Sequence, residues 1–124
     1  MTACSFEEVN IKNAILQSVK QSKGLNISID LNDFKKDRIN KICVQTPYLD
    51  KATAEKKFNA RLPSYDVLDD RSFALWIFTS TKPPMQIGLH RWKEVNFGED
   101  GLIGCAAGPH VRIFDSQLYL NKAG

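Results

Sequence analysis

The feature that most constrains this chain is the unbroken apolar run Phe73-Ala74-Leu75-Trp76-Ile77-Phe78. It has the length of a strand and is rich in aromatic and branched residues. Successive strand side chains point to opposite faces, so Phe73, Leu75 and Ile77 share one face and Ala74, Trp76 and Phe78 the other. A strand apolar on both faces needs cover on both, which predicts a central position with a helix against at least one side. A Thr79-Ser80-Thr81-Lys82-Pro83-Pro84 turn follows, and a second run over residues 85–89 leads into His90-Arg91-Trp92.

The remaining segments arrange themselves around that strand. Ser5-Phe6-Glu7-Glu8 reads as a capping box, and its acidic pair suits the positive end of a helix. Val9, Ala14, Ile15, Leu16 and Val19 form an apolar stripe and Gly24 is a stop, which predicts a helix over residues 6–23 as cover for the central strand. Leu25, Ile27, Ile29 and Leu31 alternate with polar residues, the pattern of a half-buried strand. A strand over residues 39–45 ends at Thr46-Pro47. Asp50 caps a short helix through Phe58, with Ala52, Ala54 and Phe58 turned inward, and residues 60–71 form a loop with a turn at Asp69-Asp70. Beyond a Gly98-Glu99-Asp100-Gly101 turn, residues 102–107, 111–115 and 118–120 read as an antiparallel meander interrupted at Gly108-Pro109. This order predicts an α+β fold, with an N-terminal helix packed on a curved, mainly antiparallel sheet and one further short helix.

A chain of 124 residues suits one globular domain over residues 1–124, with residues 1–5 as a flexible N-terminal segment. With 43% hydrophobic and 25% charged residues, the composition excludes a disordered chain. No apolar run approaches the roughly 20 residues that a membrane-spanning helix needs. The net charge of +3 is uneven, with 11 Lys/Arg against 7 Asp/Glu in residues 1–61 and 6 against 7 thereafter. A nucleic-acid surface would interleave those cations with exposed aromatics in one place, and no stretch does so. The lysines are read as a solvated face, with no nucleic acid as partner.

Of the three cysteines, Cys43 and Cys105 each sit by a strand-like run, whereas Cys4 lies apart at the N-terminus. Their dispersal is a poor zinc set. Met1-Thr2-Ala3-Cys4-Ser5 resembles the processing site of a bacterial lipoprotein, in which a leucine-like residue and two small residues precede the cysteine that becomes acylated. Here Met1 stands where the leucine would be, and the basic and apolar parts of a signal peptide do not precede it. The resemblance implies a lipid anchor at Cys4, and Ser5 after it implies residence at the outer membrane, facing the periplasm. It also leaves Cys43 and Cys105 to form one disulfide in an oxidising compartment; the other reading is two buried thiols acting as small hydrophobes.

The candidate sites are few. His90 and His110, the only histidines, would suit a two-histidine nuclease, with Arg91, Lys93 and Arg112 beside them to stabilise a phosphate. Each also sits where a strand end or turn wants a polar residue. Metal, serine-hydrolase and phosphate-loop motifs are absent, so neither a catalytic residue nor a metal or other cofactor is assigned. Tyr48, Tyr65, Arg91 and Trp92 lie in or beside loops and belong to the residue types that concentrate interface energy. The reading is a non-catalytic envelope lipoprotein of the inhibitor or immunity type, whose partner is an envelope protein or toxin. The basic charge disfavours a nucleic-acid-cleaving toxin, since such partners are usually basic themselves. An envelope structural lipoprotein is the other non-catalytic reading.

Overall fold

The computed structural model describes residues 6–22, 24–34, 38–91, 93–97, 104–115 and 117–120. It opens with helix α1 (Phe6–Gln21), followed by β1 (Asn26–Asp30), a 3-10 turn (Leu31–Phe34) and β2 (Ile39–Gln45). Helix α2 (Lys51–Phe58) precedes the hairpin β3 (Ser72–Thr79) and β4 (Met85–His90). Four short strands follow: β5 (Asn96–Phe97), β6 (Cys105–Ala107), β7 (His110–Phe114) and β8 (Gln117–Leu120). The fold is α+β. Its strands form two sheets, ordered β4-β3-β2-β6 and β1-β7-β8-β5, antiparallel except where β5 meets β8.

The central run is buried throughout as β3, flanked by β2 and β4. On one face Phe73, Leu75 and Ile77 join Ile42, Val44, Ile87 and Leu89 in a largely aliphatic core. That core is completed by Ile11 and Ile15 of α1 and by Ile29, Val111, Ile113, Leu118 and Leu120 of the second sheet. On the other face Trp76 and Phe78 pack with Cys43, Ala54, Phe58 and Leu62 beneath α2 and the loop after it. Both faces are therefore covered, one by α1 with the second sheet and one by α2. The nearest strand to α1 is β4 rather than β3.

The C-terminal strands do not form one meander. Strand β6 pairs with β2, whereas β7 pairs with β1 and β8. The chain changes sheet at Gly108-Pro109, where Gly108 takes φ +88°, a left-handed conformation that L side chains rarely adopt. The β1–β2 arm runs alongside this corner and bonds to it. The Gly108 N–H donates to the Asn40 carbonyl (2.9 Å) and the Leu31 N–H to the Pro109 carbonyl (2.9 Å). In place of one curved sheet, the chain forms two sheets joined through this corner.

Asp50 caps α2 by accepting from the Thr53 N–H at 3.2 Å. Hydrogen bonds from the Thr53 side chain and main chain hold its carboxyl below the ordinary range. The other end closes on Asn59 in the left-handed conformation (φ 53°), a position the asparagine side chain tolerates. Ala54 and Phe58, four residues apart, face inward, while Ala52 lies on the opposite side of so short a helix and is exposed. Leu25 was expected inward but is 60% exposed. The β1–β7 ladder begins at Asn26 opposite Phe114, so Leu25 lies beyond its end. The Ser5 cap and the Gly98-Glu99-Asp100-Gly101 turn lie outside the described residues, as do Leu102 and Ile103.

Cys43 and Cys105 form a disulfide. They are directly opposite in the β2–β6 register, with Cα atoms 4.0 Å apart. The Val44 N–H bonds to the Gly104 carbonyl, so the adjacent pair is the hydrogen-bonded one and the cysteines occupy the closer, non-bonded position. At a non-bonded position the facing side chains lie closer together, which suits a direct bridge. The bond clips the three-residue edge strand β6 onto the sheet.

Candidate functional site

Where β2 ends, β3 begins and β4 ends, three loops meet at one end of the main sheet. Gln45 organises them. Its side chain is fully buried, and its three hydrogen bonds lead to three different segments. The amide oxygen accepts from the Trp76 indole N–H on β3 (2.9 Å) and from the Gln86 amide on β4 (3.0 Å). The amide nitrogen donates to the Asp66 carbonyl in the loop over residues 60–71 (2.7 Å). A buried amide so satisfied fixes position instead of costing stability. The sequence offered no sign of it, because a glutamine at a strand end reads as a solvated residue.

The turn after β2 carries Tyr48, which stands at φ 62°. An aromatic residue there is a true outlier, since its Cβ crowds the following carbonyl. The conformation is held from both sides. The Tyr48 N–H donates to the Leu68 carbonyl at 2.7 Å, and the Tyr65 hydroxyl donates to the carbonyl of Leu49. Tyr65 itself stacks on Trp76 with ring centroids 6.2 Å apart. Burial, reinforced by the nearby Asp50 charge, pushes its phenol up to about 12. Tyr65 is thus a support beneath the turn, whereas the Tyr48 side chain is 67% exposed. Val67, next to Leu68, is also exposed, with Asp66, Asp69 and Asp70 around it.

Arg91 closes the same end. Its N–H donates to the Arg71 carbonyl (2.7 Å) and its guanidinium to the Asp70 carbonyl (2.9 Å), while the charge lies 5.0 Å from the centre of the Phe97 ring. Three of the four expected contact residues therefore gather here, Tyr48 presented, Arg91 at the border and Tyr65 beneath. Trp92 and Cys4 lie outside the described residues.

The histidines do not converge. His90 sits opposite Ser72 at the start of β3. His110 follows the Gly108 corner, which bonds to Asn40 beside Ile39, the residue paired with Thr79 at the far end of β3. The length of β3, roughly 20 Å or more at 3.3 Å per residue, separates them. Two imidazoles so placed cannot flank one phosphate. His110 Nε2 lies 3.8 Å from Asp30 Oδ2 across the β1–β7 ladder.

A groove of about 250 Å³ beside His90 is lined by Lys12, Leu68, Ser72 and Glu94 among others. Serine, histidine and glutamate together invite a hydrolase reading, but the bonding opposes it. The Glu94 carboxylate accepts the His90 main-chain N–H (2.8 Å), not the ring, and lies 3.7 Å from Lys12 Nζ. The His90 ring Nδ1 is 3.0 Å from the Arg91 carbonyl, which can only accept, so Nδ1 carries the proton. The acid that should orient a catalytic imidazole is committed elsewhere. A larger open cleft of about 630 Å³ lies between α2 and the β3–β4 turn, walled by Arg61, Pro63, Pro83 and Pro84. Among the described residues no three His, Cys, Asp or Glu side chains converge as a metal-holding set. Compared with protein families, with curated proteins and with solved structures, the chain matches none.

Proposed function

We propose that this chain is a non-catalytic binding protein of the inhibitor or immunity type, held at the outer membrane by a lipid on Cys4 and facing the periplasm. The observation that carries the binding reading is Tyr48. Holding a bulky residue in the left-handed region costs roughly 1–2 kcal/mol. The ring so held stands 67% exposed, where intramolecular packing recovers little of that cost. A contact with a partner would recover it, and aromatic anchors of this kind dominate interface energies. The compartment rests on the likeness of Met1-Thr2-Ala3-Cys4 to a lipoprotein processing site. The Cys43–Cys105 disulfide supports it, because such bonds persist in oxidising surroundings. The partner is an envelope protein or a toxin acting there.

The test compares wild type with Tyr48→Gly as bait in envelope extracts. Wild type retains a partner that Tyr48→Gly loses, while the variant unfolds at equal or higher denaturant, gaining up to about 1 kcal/mol. A variant that keeps the partner, or that is destabilised, defeats the assignment of Tyr48. Labelled palmitate should enter the precursor and not its Cys4→Ala form; failure of wild type to incorporate it removes the anchor. Cleavage of RNA by the purified protein would overturn the non-catalytic reading.

A further inference from the structure

Strand β4 is an edge of the main sheet, and its register shows which main-chain groups it leaves open. Because Val44 bonds to Gly104, the even residues of β2 point toward β6 and the odd ones toward β3. Cys43 and Gln45 therefore bond to Trp76 and Ala74, which leaves Phe73, Leu75 and Ile77 to bond across to β4. Their partners Leu89, Ile87 and Met85 face inward. The main-chain groups of Gln86, Gly88 and His90 face outward. Those of His90 are taken by the following turn, since Glu94 and Val95 donate to its carbonyl and the Glu94 side chain accepts its N–H. Among the described residues, no hydrogen bond reaches the outward N–H and C=O groups of Gln86 and Gly88.

Edge strands are ordinarily blunted by charges, prolines or bulges. Met85-Gln86-Ile87-Gly88-Leu89-His90 has no proline, lysine or acidic residue, and its ladder with β3 is regular. A groove of about 290 Å³ runs beside it, walled by Glu8, Val9 and Lys12 of α1 and by Gln86, Ile87 and Gly88. Val9 is 45% exposed in this wall.

We propose that β4 pairs antiparallel with β4 of a second copy, about a two-fold axis at Ile87. The open groups are two residues apart, so that axis sets Gln86 of each copy opposite Gly88 of the other and engages all four groups per copy. The same operation brings the residue 8–12 segments of the two α1 helices together in opposite directions. The Glu8 end of one then faces the Lys12 end of the other, with Val9 between them. The surface is complementary to itself in hydrogen bonding, in charge and in its apolar contact, as an isologous interface requires. Gly88 adds no side chain to obstruct the approach, and the space beside its Cα is open on its own chain's side.

Sedimentation equilibrium of the oxidised full chain over a concentration series tests this. The expected result is a reversible rise to twice the chain mass, with the amides of Gln86 and Gly88 gaining protection from hydrogen exchange as dimer forms. The Ile87 amide, bonded within the chain, is protected throughout. Gly88→Pro removes an outward N–H and no intrachain bond, so it should remain folded and monomeric. Val9→Lys, which keeps the strand intact, should weaken association by about tenfold or more. A chain that stays monomeric throughout overturns the proposal. So does a dimer that a folded Gly88→Pro leaves intact, or one that forms without protecting the two amides. If Gly88→Pro fails to fold, Val9→Lys and the exchange pattern decide.

Discussion

One face of the β4-β3-β2-β6 sheet is mostly aliphatic, with Phe73 among its branched side chains, and is closed by α1 and a second sheet; the other is richer in aromatic rings and bears the disulfide, closed by an eight-residue helix and a loop. The first is assembled from many branched side chains that meet by patterning alone. The second holds fewer residues and relies on specific links: the Cys43–Cys105 bond, the Gln45 amide and the Tyr65 stack on Trp76. The difference teaches that the layer bearing the candidate binding face is the one with the smaller core. Its order is therefore more vulnerable to the loss of a single link.

Removing the disulfide tests this most severely. Cys43→Ala with Cys105→Ala opens a loop spanning 62 residues and should cost about 4 kcal/mol in denaturant unfolding. Exchange should rise in β6, α2 and residues 60–71 before it rises in β1, β7 and β8. Uniform loosening of both layers would break the comparison. Gln45→Leu should come next, at about 2–3 kcal/mol, because it strands the Trp76 indole N–H and the Asp66 carbonyl. Thermal unfolding measures the loss, and indole fluorescence should report the loosened loop. A variant as stable as wild type would show that Gln45 does not hold the face.

Tyr65→Phe has the smallest effect, about 1 kcal/mol near neutral pH for the lost hydroxyl bond. Its sharper signature lies at high pH. The Tyr65 phenol is raised to about 12 in the folded protein against an ordinary value of 10, so the unfolded chain releases this proton first. Its contribution is complete below pH about 10 and declines as pH rises toward about 12. Denaturant midpoints across that window should fall less steeply in Tyr65→Phe than in wild type; parallel slopes would remove Tyr65 from the account.

Much of this architecture is legible in residue order. The strand over residues 39–45 ended by Thr46-Pro47, the apolar run of β3 and the Asp50 cap of α2 are local signals, and the structure realises each. The partners of the short C-terminal strands are not local. Nothing within Cys105-Ala106-Ala107 distinguishes pairing with β2 from pairing with β7, because that choice depends on the Gly108 corner and on bonds to residues far away in the chain. The candidate face was partly visible. Tyr48 and Arg91 stand out by residue type, but the left-handed backbone of Tyr48 and the burial of Gln45 arise only when distant segments meet.

The placement of the disulfide also bears on the order of events during synthesis. A chain emerging from its N-terminus delivers Cys43 early, then all of α2, β3 and β4, and only much later Cys105. The covalent closure therefore acts as a late seal: oxidation can ratify an arrangement that weaker forces have already brought into register, but cannot direct its beginning. A newly made chain kept reduced would retain an unfastened outer strand, with β6 held to β2 by its short ladder alone, until the two sulfurs were joined.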